Sequence, residues 1–227
     1  MPARLALVIA VLLAVPPVAS SANSARLINY STPSVSFQQQ DGWVAIKTDD
    51  GILFVWNIRE LHFTLAIKGK DIKPLNDPDH IFFTVDGMAL QIQVVSIREF
   101  APDAKEKKFD DRTILAAHRD WEFKFIEGLL NSKLKLQTFN ARVTNGGDAS
   151  LWQFDMPKGI DAEAKTQLYL TVVREDYVVM LNSAATTTIS EEAARKVLLD
   201  TIVTLKISPA LIDVKKLSES ISAGSKP

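Results

Sequence analysis

Residues 166–207 read TQLYLTVVREDYVVMLNSAATTTISEEAARKVLLDTIVTLKI, and this stretch decides the fold class. Residues 167–173 and 177–181 are rich in aliphatic and β-branched side chains and suit strands. Arg174-Glu175-Asp176 turns the chain between them, so the two strands are sequential neighbours with no crossover helix. Ser190 then opens a helix, with Glu191 and Glu192 in its first turn, where the helix dipole favours negative charge. Ala194, Val197, Leu198, Ile202 and Leu205 recur at helical spacing and turn one apolar face toward a sheet. Pro209 ends the compact part, and Leu211, Val214, Leu217 and Ile221 make a weakly amphipathic tail over 209–227 that adds little to the core.

The chain upstream repeats the hairpin pattern. Residues 43–46 and 52–56 flank Asp49-Asp50-Gly51, and residues 80–85 and 88–100 flank Asp86-Gly87; Asp-Gly is a strong two-residue turn signal. Leu61, Phe63, Leu65 and Ile67 alternate with His62, Thr64, Ala66 and Lys68, the period of a half-buried strand. Leu90, Ile92 and Val94 alternate in the same way with Gln91, Gln93 and Val95. Residues 69–79, with Pro74 and Pro78, and residues 102–110 read as charged loops. Asp111 is a candidate cap for a helix over TILAAHRDWEFKFIEGLLN, whose apolar side is expected to hold Ile114, Ala117, Trp121, Phe125 and Leu129. The alternation within residues 121–125 is a competing strand reading. Residues 134–143 and 151–154 complete the strands. Runs of short strands joined by hairpins, with two substantial helices, imply an α+β domain around a mainly antiparallel sheet flanked by helices.

At the N-terminus Arg4 precedes the apolar run LALVIAVLLAV at residues 5–15, then Pro16 and Pro17, then Ser20-Ser21-Ala22. The run rises about 16 Å as a helix, against a bilayer core of about 30 Å. It suits a secretory signal of residues 1–22 cleaved before Asn23, and no later run is long enough to span a membrane. Residues 23–40 form a polar, loosely ordered lead-in with a candidate strand at 35–37, and residues 41–208 form a single domain. The expected location is the bacterial periplasm or the exterior.

The chain has 227 residues, no cysteine and a formal charge of −1, which becomes −2 once Arg4 leaves with the signal. Absence of cysteine excludes thiol catalysis, Cys-ligated clusters and disulfides, and suits a bacterial exported protein. The charge balance supplies no basic field for nucleic acid or an anionic membrane.

No G-x-S-x-G, G-x-G-x-x-G, P-loop or HExxH pattern occurs, and His62, His80 and His118 stand apart in sequence. His80 follows Asn76-Asp77-Pro78-Asp79, which reads as a turn, so neither a metal site nor a cofactor is expected. His118 falls within the apolar arc of its helix, about 40° from Ile114 at ~100° per residue. Trp43, Trp56, Trp121 and Trp152 are the aromatic anchors a binding groove would use, and with His118 they form the candidate binding set.

The order of strands and helices over residues 40–208, and the 166–207 stretch above all, resembles the PsbP-like α/β/α sandwich superfamily. The segment FFTVDGMALQIQVVSI at residues 82–97 is similar to strand–DG–strand hairpins of exported bacterial proteins. The resemblance implies a binding or assembly module and carries no catalytic signature. The expected function is therefore an exported, non-catalytic module for a protein partner or a small apolar ligand. The alternative is a small hydrolase or apolar-ligand carrier with a site assembled near His118. An open apolar cleft beneath helix 111–131 marks a carrier, Ser or Asp beside His118 marks an enzyme, and a flat aromatic patch marks a protein partner.

Overall fold

A computed structural model describes residues 26–28, 42–75, 80–143, 147–160 and 163–224. The leader, the expected cleavage site and the candidate strand at 35–37 lie outside them. The described chain is α+β, with two sheets that are antiparallel apart from one pair. The first sheet has the order β1(Arg26–Ile28), β2(Gly42–Thr48), β3(Gly51–Ile58), β4(Leu61–Lys68), β12(Lys206–Ser208). Its pair β1–β2 is parallel, so a piece of the expected lead-in belongs to the sheet. The second sheet has the order β5(Ile72–Leu75), β6(Ile81–Val85), β7(Met88–Ser96), β11(Tyr177–Thr186), β10(Ala164–Arg174), β9(Asp148–Asp155), β8(Gln137–Arg142). The helices are α1(Ile97–Phe100), α2(Asp111–Leu130), α3(Glu191–Ile202) and α4(Val214–Ser222).

Two-residue turns set the register. Val85 faces Met88 across Asp86-Gly87, where φ is +50° and +87°, the left-handed pair that an Asp-Gly turn supplies. Thr48 faces Gly51, and a Cβ at Gly51 would stand 2.0 Å from the carbonyl oxygen of Ile67, so only glycine fits there. Pro74 sits in β5, an edge strand paired on one side only, which is where a residue without an N–H is tolerated. The expected loop over 69–79 therefore contains a strand.

The alternation in β4 is borne out: Leu61, Phe63, Leu65 and Ile67 are buried and their neighbours face outward or are half-buried. They meet Leu90, Ile92, Leu168, Leu170, Val179 and Leu181 of the second sheet in the principal core. α3 packs on β10, β11 and β4, and adds Ala194, Leu198 and Ile202 to the same core. Ser190 caps α3, its Oγ accepting from Ala193 N at 3.1 Å.

Three further sequence expectations change. The strand expected to run to Phe100 stops at Ser96, and the next residues form the helical turn α1. Asp110, not Asp111, caps α2, accepting from Thr113 N at 2.8 Å. The segment after Pro209 is no loose tail: Ile212, Val214, Leu217 and Ile221 cover Ile46, Leu53 and Val55 on the outer face of the first sheet. Asn57 fixes its approach, donating to Ile212 O at 2.8 Å and accepting from Ile212 N at 3.0 Å.

Candidate functional site

α2 lies over β9 and β10, on the face of the second sheet turned away from the principal core. Its ends are held by apolar contacts. Ile114 and Leu115 pack with Val173 and Val178, and Ile126 packs with Trp152, Phe154, Tyr169 and Met180. Between these two clusters the helix turns His118 and Glu122 into the sheet, both fully buried. This corrects the expected helix face. Of Ile114, Ala117, Trp121, Phe125 and Leu129, only Ile114 is buried, while Phe125 and Leu129 are exposed. The helix is rotated by about 70° from the orientation its apolar residues alone would choose, at ~100° per residue.

The sheet beneath is polar in its middle. Cross-strand register aligns Trp152, Tyr169, Asn182 and Gln91 in one row over β9, β10, β11 and β7. Two residues along in opposite directions, Gln167 flanks this row on one side, level with Ala184, and Gln93 on the other, level with Met180. Tyr169 lies flat on Trp152, ring centroids 3.9 Å apart and planes 4° apart. Asn182 Nδ2 donates to Gln91 Oε1.

Ten further buried polar atoms of α2 and this face lack hydrogen-bond partners among the described residues. They are both ring nitrogens of His118, both carboxyl oxygens of Glu122, Tyr169 Oη, Trp152 Nε1, both amide ends of Gln167, Gln93 Oε1 and Asn182 Oδ1. Native proteins pair nearly all such groups, because an unpaired buried donor or acceptor costs about 1–3 kcal/mol. On the opposite face Gln153 is paired at both ends: Nε2 donates to Glu191 Oε2 at 3.0 Å and to Gln137 Oε1 at 3.3 Å, and Oε1 accepts from Arg195 at 3.1 Å.

Burial governs the charge state here. Loss of solvation holds His118 neutral, its pKa lowered to about 3, and pushes the Glu122 carboxyl up to about 8. The Tyr169 phenol is raised well above its ordinary value by burial, with the Glu122 charge adding to the effect. At neutral pH the cluster is a carboxylic acid, a neutral imidazole and a phenol.

Of the five residues proposed from sequence, the fold brings three to this face. His118 is ringed by Phe100 at 5.1 Å and Trp121 at 6.1 Å, and Trp152 lies in the sheet below. Trp43 and Trp56 belong to the first sheet, where they face each other across β2 and β3 and pack on Phe54 and Phe63. Sequence reasoning missed Glu122, Tyr169, Gln167, Asn182, Gln91 and Gln93. The signal was present as a four-residue His–Glu spacing on the helix, and as polar residues at one parity of strands that are apolar at the other.

Beneath α2 the described residues form neither an open apolar cleft nor a flat aromatic patch: His118, Glu122 and Tyr169 are fully buried, with Trp152, Phe154 and Ile126 buried beside them. Among the described residues there is no group of three or more His, Asp or Glu able to hold a metal ion, and no helix is long and apolar enough to cross a membrane. No protein-family model matches the chain, and no curated protein matches it.

Proposed function

We propose that this is an exported binding module, acting in the bacterial periplasm or outside the cell, whose ligand seats between α2 and the polar face of the second sheet. The observation that carries the reading is the set of unpartnered buried polar atoms on α2 and on the face of the second sheet against which it packs. A ligand that supplies their missing hydrogen bonds gains the full value of groups already desolvated. The likeness of residues 166–207 to the PsbP-like superfamily, with its binding and assembly modules, supports the same reading. A hydrolytic role draws no support from His118, since neither ring nitrogen is hydrogen-bonded to a nucleophile or an orienting acid among the described residues.

The test is a thermal-shift screen of a small-molecule library containing amines, alcohols, carboxylates and sugars. Wild type is run beside a His118→Leu/Glu122→Leu double variant, in which the two most costly polar groups become apolar. Compounds that raise the wild-type Tm and leave the double variant unmoved support the reading. A library with no such compound overturns it.

A further inference from the structure

α2 and α3 are held to the body of the fold in different ways. The principal core draws on α3 and on strands of both sheets, and it contains no residue of α2. α2 packs from outside on β9 and β10, through Ile114 and Leu115 at one end and Ile126 at the other. The strands beneath it are hydrogen-bonded to one another without its help. Arg112 in its first turn pairs with Asp148 of β9 at 2.9 Å, but the arginine is exposed, and such pairs hold weakly. At the far end the Glu127 carboxylate accepts from Leu134 N at 3.0 Å, in the segment that follows the helix and not in a strand. Phe125 and Leu129 are exposed and add little to the hold.

The middle of α2 works against closure. Both ring nitrogens of His118 and both carboxyl oxygens of Glu122 are buried without partners, as are Tyr169 Oη and Trp152 Nε1 on the strands below. Each of these groups gains water when the helix moves away, independently of the others. α3 has the reverse balance. Its Glu191 bonds Gln153 of β9 and Thr166 of β10, and its Arg195 bonds Gln153 as well. Lifting α3 would break those bonds and expose Ala194, Leu198 and Ile202 of the principal core.

We propose that α2 is a lid, which lifts from β9 and β10 as one unit while both sheets and α3 stay folded, and so uncovers the face that carries Trp152 and Tyr169. The unit runs from Lys108 to Asn131, where the backbone turns through the left-handed region at φ +51° and +45°. Apolar contacts at its ends favour the closed position and the unpaired groups at its middle favour the open one. The equilibrium belongs to the chain alone and stands whether or not the uncovered face takes a ligand.

Native-state amide hydrogen exchange on the full chain, with no ligand added, tests it. Amides of residues 115–129 should be at least about a hundredfold less protected than those of residues 194–202. Ile202→Val weakens the principal core, which the lid leaves intact on opening. It should lower protection of α3 about two- to tenfold and leave α2 unmoved. The His118→Leu/Glu122→Leu double variant removes the gain on opening, and should raise protection of α2 at least about tenfold. Equal protection of the two helices in wild type overturns the lid, and so does an Ile202→Val effect of the same size on both. A folded double variant with α2 no better protected overturns it too. If the double variant does not fold, the first two measurements decide.

Discussion

One helical turn separates His118 from Glu122, and both side chains point into the sheet, while Phe125 and Leu129 on the same helix point out of it. The two buried groups titrate in opposite senses. Glu122 carries a raised pKa, so its contribution to stability is complete below about 4.5 and is lost as pH climbs to about 8. His118 carries a lowered pKa, so stability is lost as pH falls from about 6.5 to about 3. Between about 4.5 and 6.5 folded and unfolded chains bind the same number of protons at these two sites, and the effects cancel.

The first prediction is a flat-topped stability profile with an acid limb owed to His118 and an alkaline limb owed to Glu122. Urea unfolding across the pH range should show Glu122→Gln flattening the fall above about 6.5, and His118→Leu flattening the fall below about 4.5. Each limb amounts to a few kcal/mol, at ~1.4 kcal/mol per pH unit. Identical profiles in wild type and both variants would remove the buried, unpaired placement of these groups.

A second prediction contrasts two adjacent residues of α2. Ile126 is wholly buried and Phe125 is 37% exposed. Ile126→Ala should cost about 2–5 kcal/mol, whereas Phe125→Ser should stay within roughly 1 kcal/mol of wild type. The reverse order in chemical denaturation would mean that the helix presents its other face to the sheet.

These two expectations mark the limit of what the residues show without the fold. Alternation in β4 and the Asp86-Gly87 turn were legible because a strand with one polar side and a turn needing positive φ leave local traces in sequence. The face of α2 was not legible. Trp121, Phe125 and Leu129 form the stronger apolar stripe, and hydrophobic periodicity alone directs them inward. What turns the helix is apolar contact with the sheet, Leu115 on Val173 and Val178 and Ile126 on Trp152, Tyr169 and Met180, made to strands far apart in sequence. The packing of the C-terminal segment is hidden in sequence for a similar reason: Ile46, Leu53 and Val55, which it covers, read as ordinary strand residues until β2 and β3 are paired.

The third prediction concerns that segment. Truncation after Ser208 removes the cover from Ile46, Leu53 and Val55 and leaves the Asn57 amide without Ile212. A loss on the order of 3 kcal/mol or more should lower Tm by roughly 6–12 °C, against about 2–4 °C per kcal/mol at this size. Asn57→Ala should reproduce part of it, about 1–2 kcal/mol. A melting curve unchanged by truncation would show that the cover contributes nothing.

A fourth prediction sets two glycines against each other. A Cβ at Gly51 meets the Ile67 carbonyl oxygen at 2.0 Å, so Gly51→Ala must push β3 from β4 and should cost several kcal/mol, on the order of other large overpacking changes. Gly128, inside α2, has open space where a Cβ would go, and Gly128→Ala should gain about 0.5–1 kcal/mol. Paired thermal melts separate the two outcomes.

The pairing of β12 with β4 also fixes when folding can finish. Phe63 lies opposite Ile207, and Thr204 Oγ1 accepts from Ala66 N across 138 positions of chain. The β2–β3–β4 meander can form as soon as it is made, yet one rim of its hydrogen-bonding groups stays open until the last few dozen residues arrive. A polypeptide made N-terminus first therefore holds that edge of β4 unpaired until residues 204–208 are in place, with all of the second sheet laid down in the interval.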